Sequence, residues 1–321
     1  MEKKNQKELE AVTTAAETGR YFLGTGRVLW VEEKNQKELI TGGLERMKAS
    51  VKIGLGCLGA AGVWTLLLRP RQNQPGWERL EGVRFAHRGL HDPDRGIPEN
   101  SLAAFRRAAE HGFGVELDVH LMADGELAVV HDSDLTRVCG KKAYIEDLTA
   151  GELEKYPLMG TEEHIPLLRD VLALFEGGAP LVIELKVERG NARALTDAVM
   201  AALEGWNGTF CVESFHPLAL LWLKERYPQV LRGQLSQNFM KGSEAGNLPL
   251  PARFVLTNLL TTAFTKPDFI AFHWKDRKNL SLRWMRALYG VHELGWTVRD
   301  RDTMEELDRE GIVSIFEGFE P

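Results

Sequence analysis

Cysteine is scarce in this chain: only Cys57, Cys139 and Cys211 occur, with no C-x-x-C spacing. Three thiols cannot all pair, so neither a disulfide framework nor a cysteine zinc site is legible. Each is read as a small packing residue rather than a nucleophile, as free cysteines usually are. An excess of cations is also missing. Residues 1–76 carry 12 Lys/Arg against 8 Asp/Glu, whereas residues 77–321 carry 28 against 38. That balance argues against a nucleic-acid partner, which needs a basic face. Small phosphorylated substrates remain open, because a metal ion and a few cations can reverse the field locally. No uncharged run reaches the roughly 20 apolar residues of a comfortable membrane span. With 44% hydrophobic residues over 321 positions the chain still buries a full core, and its composition does not suggest disorder.

The longest uncharged run, Ile53 to Leu68, is flanked by Lys48 and Lys52 before and by Arg69 and Arg71 after. Long basic side chains can snorkel, so the run reads as a marginal single-pass transmembrane anchor over 51–68, with membrane contact through 53–68. A buried core helix or a cleaved signal peptide is the competing reading. Against cleavage, the apolar run continues past the small residues Gly59-Ala60-Ala61-Gly62. Basic residues flank the run about equally, so the side of the membrane is not decided. Residues 1–50 read as a polar extension, dispensable up to the basic start at Met47. Lys-Asn-Gln-Lys-Glu-Leu recurs at 4–9 and 34–39, too few copies for a repeat architecture. Residues 69–76, with Pro70, Pro75 and Gly76, read as a linker to a catalytic domain over 77–321.

From Val83 onward, short apolar runs alternate with helical patterns. The strand candidates are 83–86, 115–121, 181–185, 210–215, 231–235, 269–272, 293–298 and 314–316. Eight strands in this length predict an α/β fold, a (β/α)8 TIM barrel. Leu102, Phe105, Ala108 and Ala109 keep helical spacing and stop at Gly112, and a second such pattern stops at Gly177-Gly178. The segment from Ser133 to Pro166 interrupts the second βα unit and reads as a small insertion near the catalytic face. Phe254 to Leu260 reads as a buried barrel helix, with an exposed lipid-facing segment as its rival.

Charged and ionisable residues cluster at the ends of the apolar runs, where a barrel presents its catalytic groups. Glu116 and Asp118 are two apart, so on a strand they share a face. Two buried carboxylates side by side repel each other unless a cation bridges them, and oxygen ligands suit a divalent metal ion such as Mg²⁺ or Ca²⁺. Glu184 ends the next strand and supplies a third carboxylate. His87 and His131 each follow a strand-like run and titrate near neutrality, so either can act as acid or base. Arg88 can grip phosphate oxygens and Lys186 adds a point charge, while ion pairing with nearby carboxylates is the compatible structural alternative. Glu99 is read as reaching the metal or the substrate hydroxyls, and Asn100 or Ser101 as capping the helix that follows.

The clusters Ala86-His87-Arg88-Gly89, Pro98-Glu99-Asn100-Ser101, Glu116-Leu117-Asp118 and His131-Asp132 together resemble the glycerophosphodiester phosphodiesterase family from about Trp77 to Pro321. The resemblance implies Glu116, Asp118 and Glu184 as metal ligands and assigns His87 and His131 to acid–base catalysis. It implies hydrolysis of a glycerophosphodiester to an alcohol and glycerol 3-phosphate, with a glycerol hydroxyl or water attacking phosphorus. Glu213-Ser214-Phe215, Pro267-Asp268-Phe269-Ile270 and Trp296-Thr297-Val298 resemble later family segments, with Trp296 a wall for the leaving group. Val313 stands where the family pattern has an acidic residue, which puts the closure of the last βα unit in question. A lysophospholipase D acting on membrane lysolipids, a cyclising lyase on the same fold and a catalytically inactive, membrane-tethered binding barrel are the other readings. The inactive barrel is disfavoured because every residue the chemistry requires is present.

Overall fold

The computed structural model describes residues 20–22, 28–30, 45, 52, 56, 59–72, 76–241 and 248–321. The chain divides into two compact units, Met1–Trp64 and Thr65–Pro321. In the first, Arg20–Phe22 pairs antiparallel with Val28–Trp30. The polar extension read from the sequence therefore contains a pair of strands.

The second unit is a closed barrel. Its strands are β1 (Arg84–His87), β2 (Gly114–Leu121), β3 (Leu127–Val129), β4 (Leu181–Leu185), β5 (Phe210–Ser214), β6 (Arg232–Ser236), β7 (Phe269–His273), β8 (His292–Val298) and β9 (Val313–Phe316). Eight run parallel in the ring β1-β2-β4-β5-β6-β7-β8-β9, and β9 pairs with β1 to close it. β3 is the exception: it folds back antiparallel on the end of β2. All eight predicted barrel strands form. The acidic residue that Val313 replaces is not needed for closure, since Val313 is buried in an apolar layer.

Period-2 alternation divides the apolar residues into two cores. Leu117, Val119, Ile183 and Val212 face outward and pack under the helices. Those helices include α1 (Leu102–Glu110), α2 (Leu168–Leu174), α3 (Ala192–Ala202), α4 (Pro217–Arg226), α5 (Leu250–Thr257), α6 (Leu280–Tyr289) and α7 (Arg301–Arg309). Phe85, Val182, Cys211, Phe269 and Ile315 form an inner core with Trp77, whose ring stacks on His292 at 4.4 Å. Apolar layers thus fill the barrel below and leave its upper end to polar residues. The insertion after β2 has a third core, built by Leu135, Val138, Ile145, Leu153 and Leu158.

Two expectations change here, and the membrane anchor falls partly outside the described residues. Among the described residues no helix is long and apolar enough to cross a membrane. Residues 59–67 are helical, whereas 51, 53–55 and 57–58 of the expected anchor lie outside the described residues. The boundary between anchor and linker also moves, because Thr65 onward belongs to the barrel unit. Leu68 is fully buried, Tyr289 Oη donates to Thr65 O at 2.7 Å, and Arg71 Nη1 donates to Pro228 O at 2.8 Å. Finally, the segment Phe254 to Leu260 is only partly buried: Phe254 is 46% exposed, whereas Thr257 and Leu259 are buried. Apolar composition did not distinguish this half-covered helix from a core one.

Candidate active site

Strand register assembles the barrel mouth. His87 lies opposite Glu116 across β1–β2, Asp118 opposite Glu184 across β2–β4, and Glu184 opposite Glu213 across β4–β5. Ligand oxygens of Glu116, Asp118 and Glu184 all lie within 4.8 Å of one another, and all three residues are buried. Lys186 Nζ stands 2.9 Å from both Asp118 Oδ1 and Glu184 Oε2. Burial pushes the Glu116 and Glu184 carboxyls up, reinforced for Glu116 by Asp118 and Glu184. Burial acts the same way on Asp118, but Lys186, His131 and Arg88 outweigh it and hold that carboxyl well below its usual range. Three carboxylates, one lysine and no softer donor fit a hard divalent cation, which would relieve the repulsion that disfavours ionised Glu116 and Glu184.

The His87-Arg88-Gly89 turn brings cations to the same mouth. Arg88 has φ 56°, an unusual conformation for a non-glycine residue, and Asn100 has φ 52°. Two backbone bonds hold the turn: Arg88 N donates to Glu116 Oε2 at 3.2 Å, and Asn100 N donates to Arg88 O at 2.9 Å. Gly89 is required by contact as well as by its φ of 81°, since a Cβ would lie 2.9 Å from the Ala104 carbonyl carbon. Arg88 Nη1 donates to Glu99 Oε1 at 2.8 Å, and its Nε is 3.4 Å from Asp118 Oδ2.

At the start of α1 the cap is the second of the two candidates read from the sequence, and the expected role of Glu99 changes. Ser101 is the cap, accepting from Ala104 N at 3.1 Å. Asn100 does not cap; its Nδ2 donates to Asp118 Oδ2 at 2.8 Å and orients a proposed metal ligand. Glu99 does not reach the metal triad or an open substrate position, because its oxygens bond to Arg88 and to Arg137. The sequence reading missed Arg137, which also donates from Nε to Asp132 Oδ2.

The two histidines sit in different surroundings. His87 Nε2 is 3.8 Å from Glu116 Oε2 and its Nδ1 is 3.6 Å from Glu317 Oε2. Burial lowers its pKa despite the carboxylates, favouring neutral imidazole. His131 shares a 2.7 Å hydrogen bond between Nδ1 and Asp132 Oδ1. Its backbone is held by His120, whose Nδ1 meets Glu146 Oε1 at 2.7 Å and whose Nε2 meets His131 O at 3.2 Å. His120 extends the same face of β2 beyond Glu116 and Asp118, a period-2 signal the sequence contained. Glu317 is anchored by Arg299 at 2.6 Å and had no comparable local signal.

A cavity of about 610 Å³ opens over these groups, lined by His87, Arg88, Glu116, His131, Glu184 and Trp296 among others. Its aromatic side is built from Trp296 against Phe215, with centroids 5.7 Å apart, and Phe215 against Phe239 at 6.0 Å. Among the described residues no thiol joins the site. Cys211 lies in the lower core, and Cys139 is half-buried with its pKa pushed up to about 11 by burial.

A barrel mouth carrying an acidic triad, two histidines and flanking cations fits a phosphoric diester hydrolase. Residues 87–317 match the model of the Glycerophosphoryl diester phosphodiesterase family, and the chain belongs to that family. A glycerophosphodiester phosphodiesterase of Caldanaerobacter subterraneus subsp. tengcongensis is 31% identical over 251 residues, covering 72% of this chain and 100% of the relative. Human lysophospholipase D is 34% identical over 154 residues, 44% of this chain and 46% of that protein. Among solved structures, an Oleispira antarctica phosphodiesterase in complex with its product sn-glycerol-3-phosphate superposes with TM-score 0.60 at 23% identity, covering 74% of this chain and 93% of that one. The Thermotoga maritima glycerophosphodiester phosphodiesterase gives TM-score 0.55 at 25% identity, over 73% and 94% of the two chains.

Proposed function

We propose that this protein hydrolyses glycerophosphodiesters to an alcohol and glycerol 3-phosphate, with a divalent cation held by Glu116, Asp118 and Glu184. The observation that carries this reading is the convergence of His87, His131, Arg88 and two of the triad carboxylates on one cavity. Mg²⁺ or Ca²⁺ at the triad would supply positive charge to the phosphoryl oxygens. Arg88 and Lys186 add fixed positive charge at the same place and help bind the phosphate. His87, favoured as the neutral imidazole by burial, takes the proton of the attacking oxygen; where that oxygen is the neighbouring glycerol hydroxyl, water then opens the cyclic phosphate to glycerol 3-phosphate with the two histidines exchanging roles. His131 gives a proton to the departing alcohol oxygen, its ring oriented by the bond from Nδ1 to Asp132. Glu99 positions Arg88 rather than touching substrate.

The test is turnover of glycerophosphocholine with Mg²⁺, with Ca²⁺ and with chelator. Release of choline and glycerol 3-phosphate that stops on chelation is expected. Activity unaffected by exhaustive chelation would overturn the metal assignment, and absence of turnover with either ion would overturn the substrate.

A second reading, lysophospholipase D activity, draws on the exposed Leu250 and Phe254 of α5, whose Leu256 O accepts from Ser236 Oγ at the end of β6. Membrane attachment through residues 53–68 belongs with it, supported by the uncharged run and its basic flanks. Assay of lysophosphatidylcholine cleavage, with fractionation of the full chain between membrane and soluble phases, tests both.

A further inference from the structure

His120 is buried on β2, and both of its ring nitrogens are engaged. Nε2 donates to His131 O at 3.2 Å, and Nδ1 lies 2.7 Å from Glu146 Oε1. Glu146 is held in turn, because its Oε2 accepts from Ser133 Oγ at 2.6 Å. Neighbouring Ile145 is fully buried in the core of the insertion, and its N donates to Ser133 O at 3.0 Å. A chain of contacts therefore runs from the insertion's core through Glu146 and the His120 ring to the backbone of His131. The same strand carries the proposed metal ligands. His120 stands two residues beyond Asp118 on β2, and Val130 N donates to Asp118 O at 3.0 Å. His120, Ser133 and Glu146 do not line the cavity, so none of them is placed to touch substrate.

The carbonyl that His120 holds belongs to the planar peptide joining His131 to Asp132. Fixing its oxygen restricts rotation of that peptide, and with it the directions of the two flanking side chains. Those side chains bond each other, His131 Nδ1 to Asp132 Oδ1 at 2.7 Å, so a turned peptide would break the bond that aims the imidazole. Both residues lie beyond the end of β3 and outside any helix or strand, so no sheet ladder holds this peptide. An apolar pair in place of His120 and Glu146 would fill the space without their desolvation cost, but it could not bond the carbonyl. We infer that His120 is a positioning residue for His131, and that the insertion after β2 serves the reaction by fixing the His120 ring through Glu146. This inference rests on the reading of His131 as the group that protonates the departing alcohol.

The experiment measures kcat and KM of His120→Leu on glycerophosphocholine and on the nitrophenyl diester of glycerol phosphate, whose leaving group departs without a proton. On glycerophosphocholine kcat should fall about 10–100-fold, the scale of a misplaced catalytic group, with KM little changed. On the nitrophenyl diester the loss should shrink to a few-fold, because the acid is not needed there. In a His131→Ala background the same substitution should cost nothing more, since an absent acid cannot be misplaced. His120→Gln, which keeps an N–H donor for the carbonyl, should recover part of the loss. Equal losses on both diesters, an undiminished kcat on glycerophosphocholine, or a further loss in the His131→Ala background would each overturn the positioning role. If His120→Leu fails to fold, Glu146→Gln decides, because it keeps the His120 ring and weakens only the hold on it. Its kcat should fall on glycerophosphocholine more than on the nitrophenyl diester, and equal behaviour on the two overturns the role. Wild type active on both diesters with an unaffected His120→Leu defeats the positioning role alone. Wild type that turns over neither diester defeats the hydrolase reading and this inference with it.

Discussion

Arg137 grips both oxygens of Glu99, from Nη2 to Oε1 at 2.7 Å and from Nη1 to Oε2 at 2.9 Å, while its Nε bonds Asp132. One side chain of the insertion therefore ties together the carboxylate that orients Arg88 and the carboxylate that orients His131. Bidentate geometry is what makes arginine suitable for this task, and lysine cannot reproduce it. Arg137→Met and Arg137→Lys should each lower kcat by about 10–100-fold, the scale of misplacing a general acid by a fraction of an ångström. Steady-state kinetics on glycerophosphocholine checks this; a change confined to KM would contradict it.

The same network predicts an acid-dependent stability. Burial pushes the Glu99 carboxyl up, but Arg137 and Arg88 outweigh it, and the His131 bond, with Arg137, holds Asp132 far below its ordinary range. Both groups therefore bind fewer protons folded than unfolded as pH falls through the ordinary values of 4.5 and 3.8. Their stabilisation is present above those values and is lost below them. The urea midpoint of wild type should exceed that of Arg137→Met near neutrality, and the gap should close as the pH drops below 4. A gap independent of pH would show that Arg137 acts through packing alone.

For the triad, Glu116→Gln, Asp118→Asn and Glu184→Gln should each weaken divalent-metal binding at least about tenfold and remove most activity. Calorimetric titration with Mg²⁺ and Ca²⁺ reads binding separately from turnover. Undiminished affinity in all three variants would move the metal elsewhere.

His87→Ala and His131→Ala should each lose on the order of 10²–10⁴-fold in kcat, with the double variant little worse than either single one. A nitrophenyl leaving group departs without a proton, so it should rescue His131→Ala in part and His87→Ala hardly at all. Equal losses on alkyl and nitrophenyl diesters in both variants would cancel the assignment of His131 as the acid.

Removing residues before Trp77 should destabilise the barrel more than removing those before Thr65. The longer deletion takes away fully buried Leu68, whose burial alone is worth about 1.5–3 kcal/mol, and the Arg71 bond to Pro228. Thermal melts of the two truncated proteins should differ by several degrees. Identical midpoints would restore the linker reading of residues 69–76.

The amino-acid sequence by itself determined the eight parallel strands and the triad, because both depend on short-range patterns. Apolar runs ending in charged residues mark strand ends, and the single residue between Glu116 and Asp118 places both on one face. The placement of His87 and His131 around one cavity was legible for the same reason. Only the tertiary structure decided the partners. Glu99 and Arg137 are 38 positions apart, and His120 and Glu146 are 26 apart, so no local spacing announces either pair. Asn100 could be assigned to Asp118 rather than to the helix cap only once the turn at Arg88 was seen. Glu213 and Trp296, both of which line the cavity, lie 83 positions apart in the chain. Barrel closure brings their strands around one cavity, and that proximity depends on global register rather than on the residues beside them.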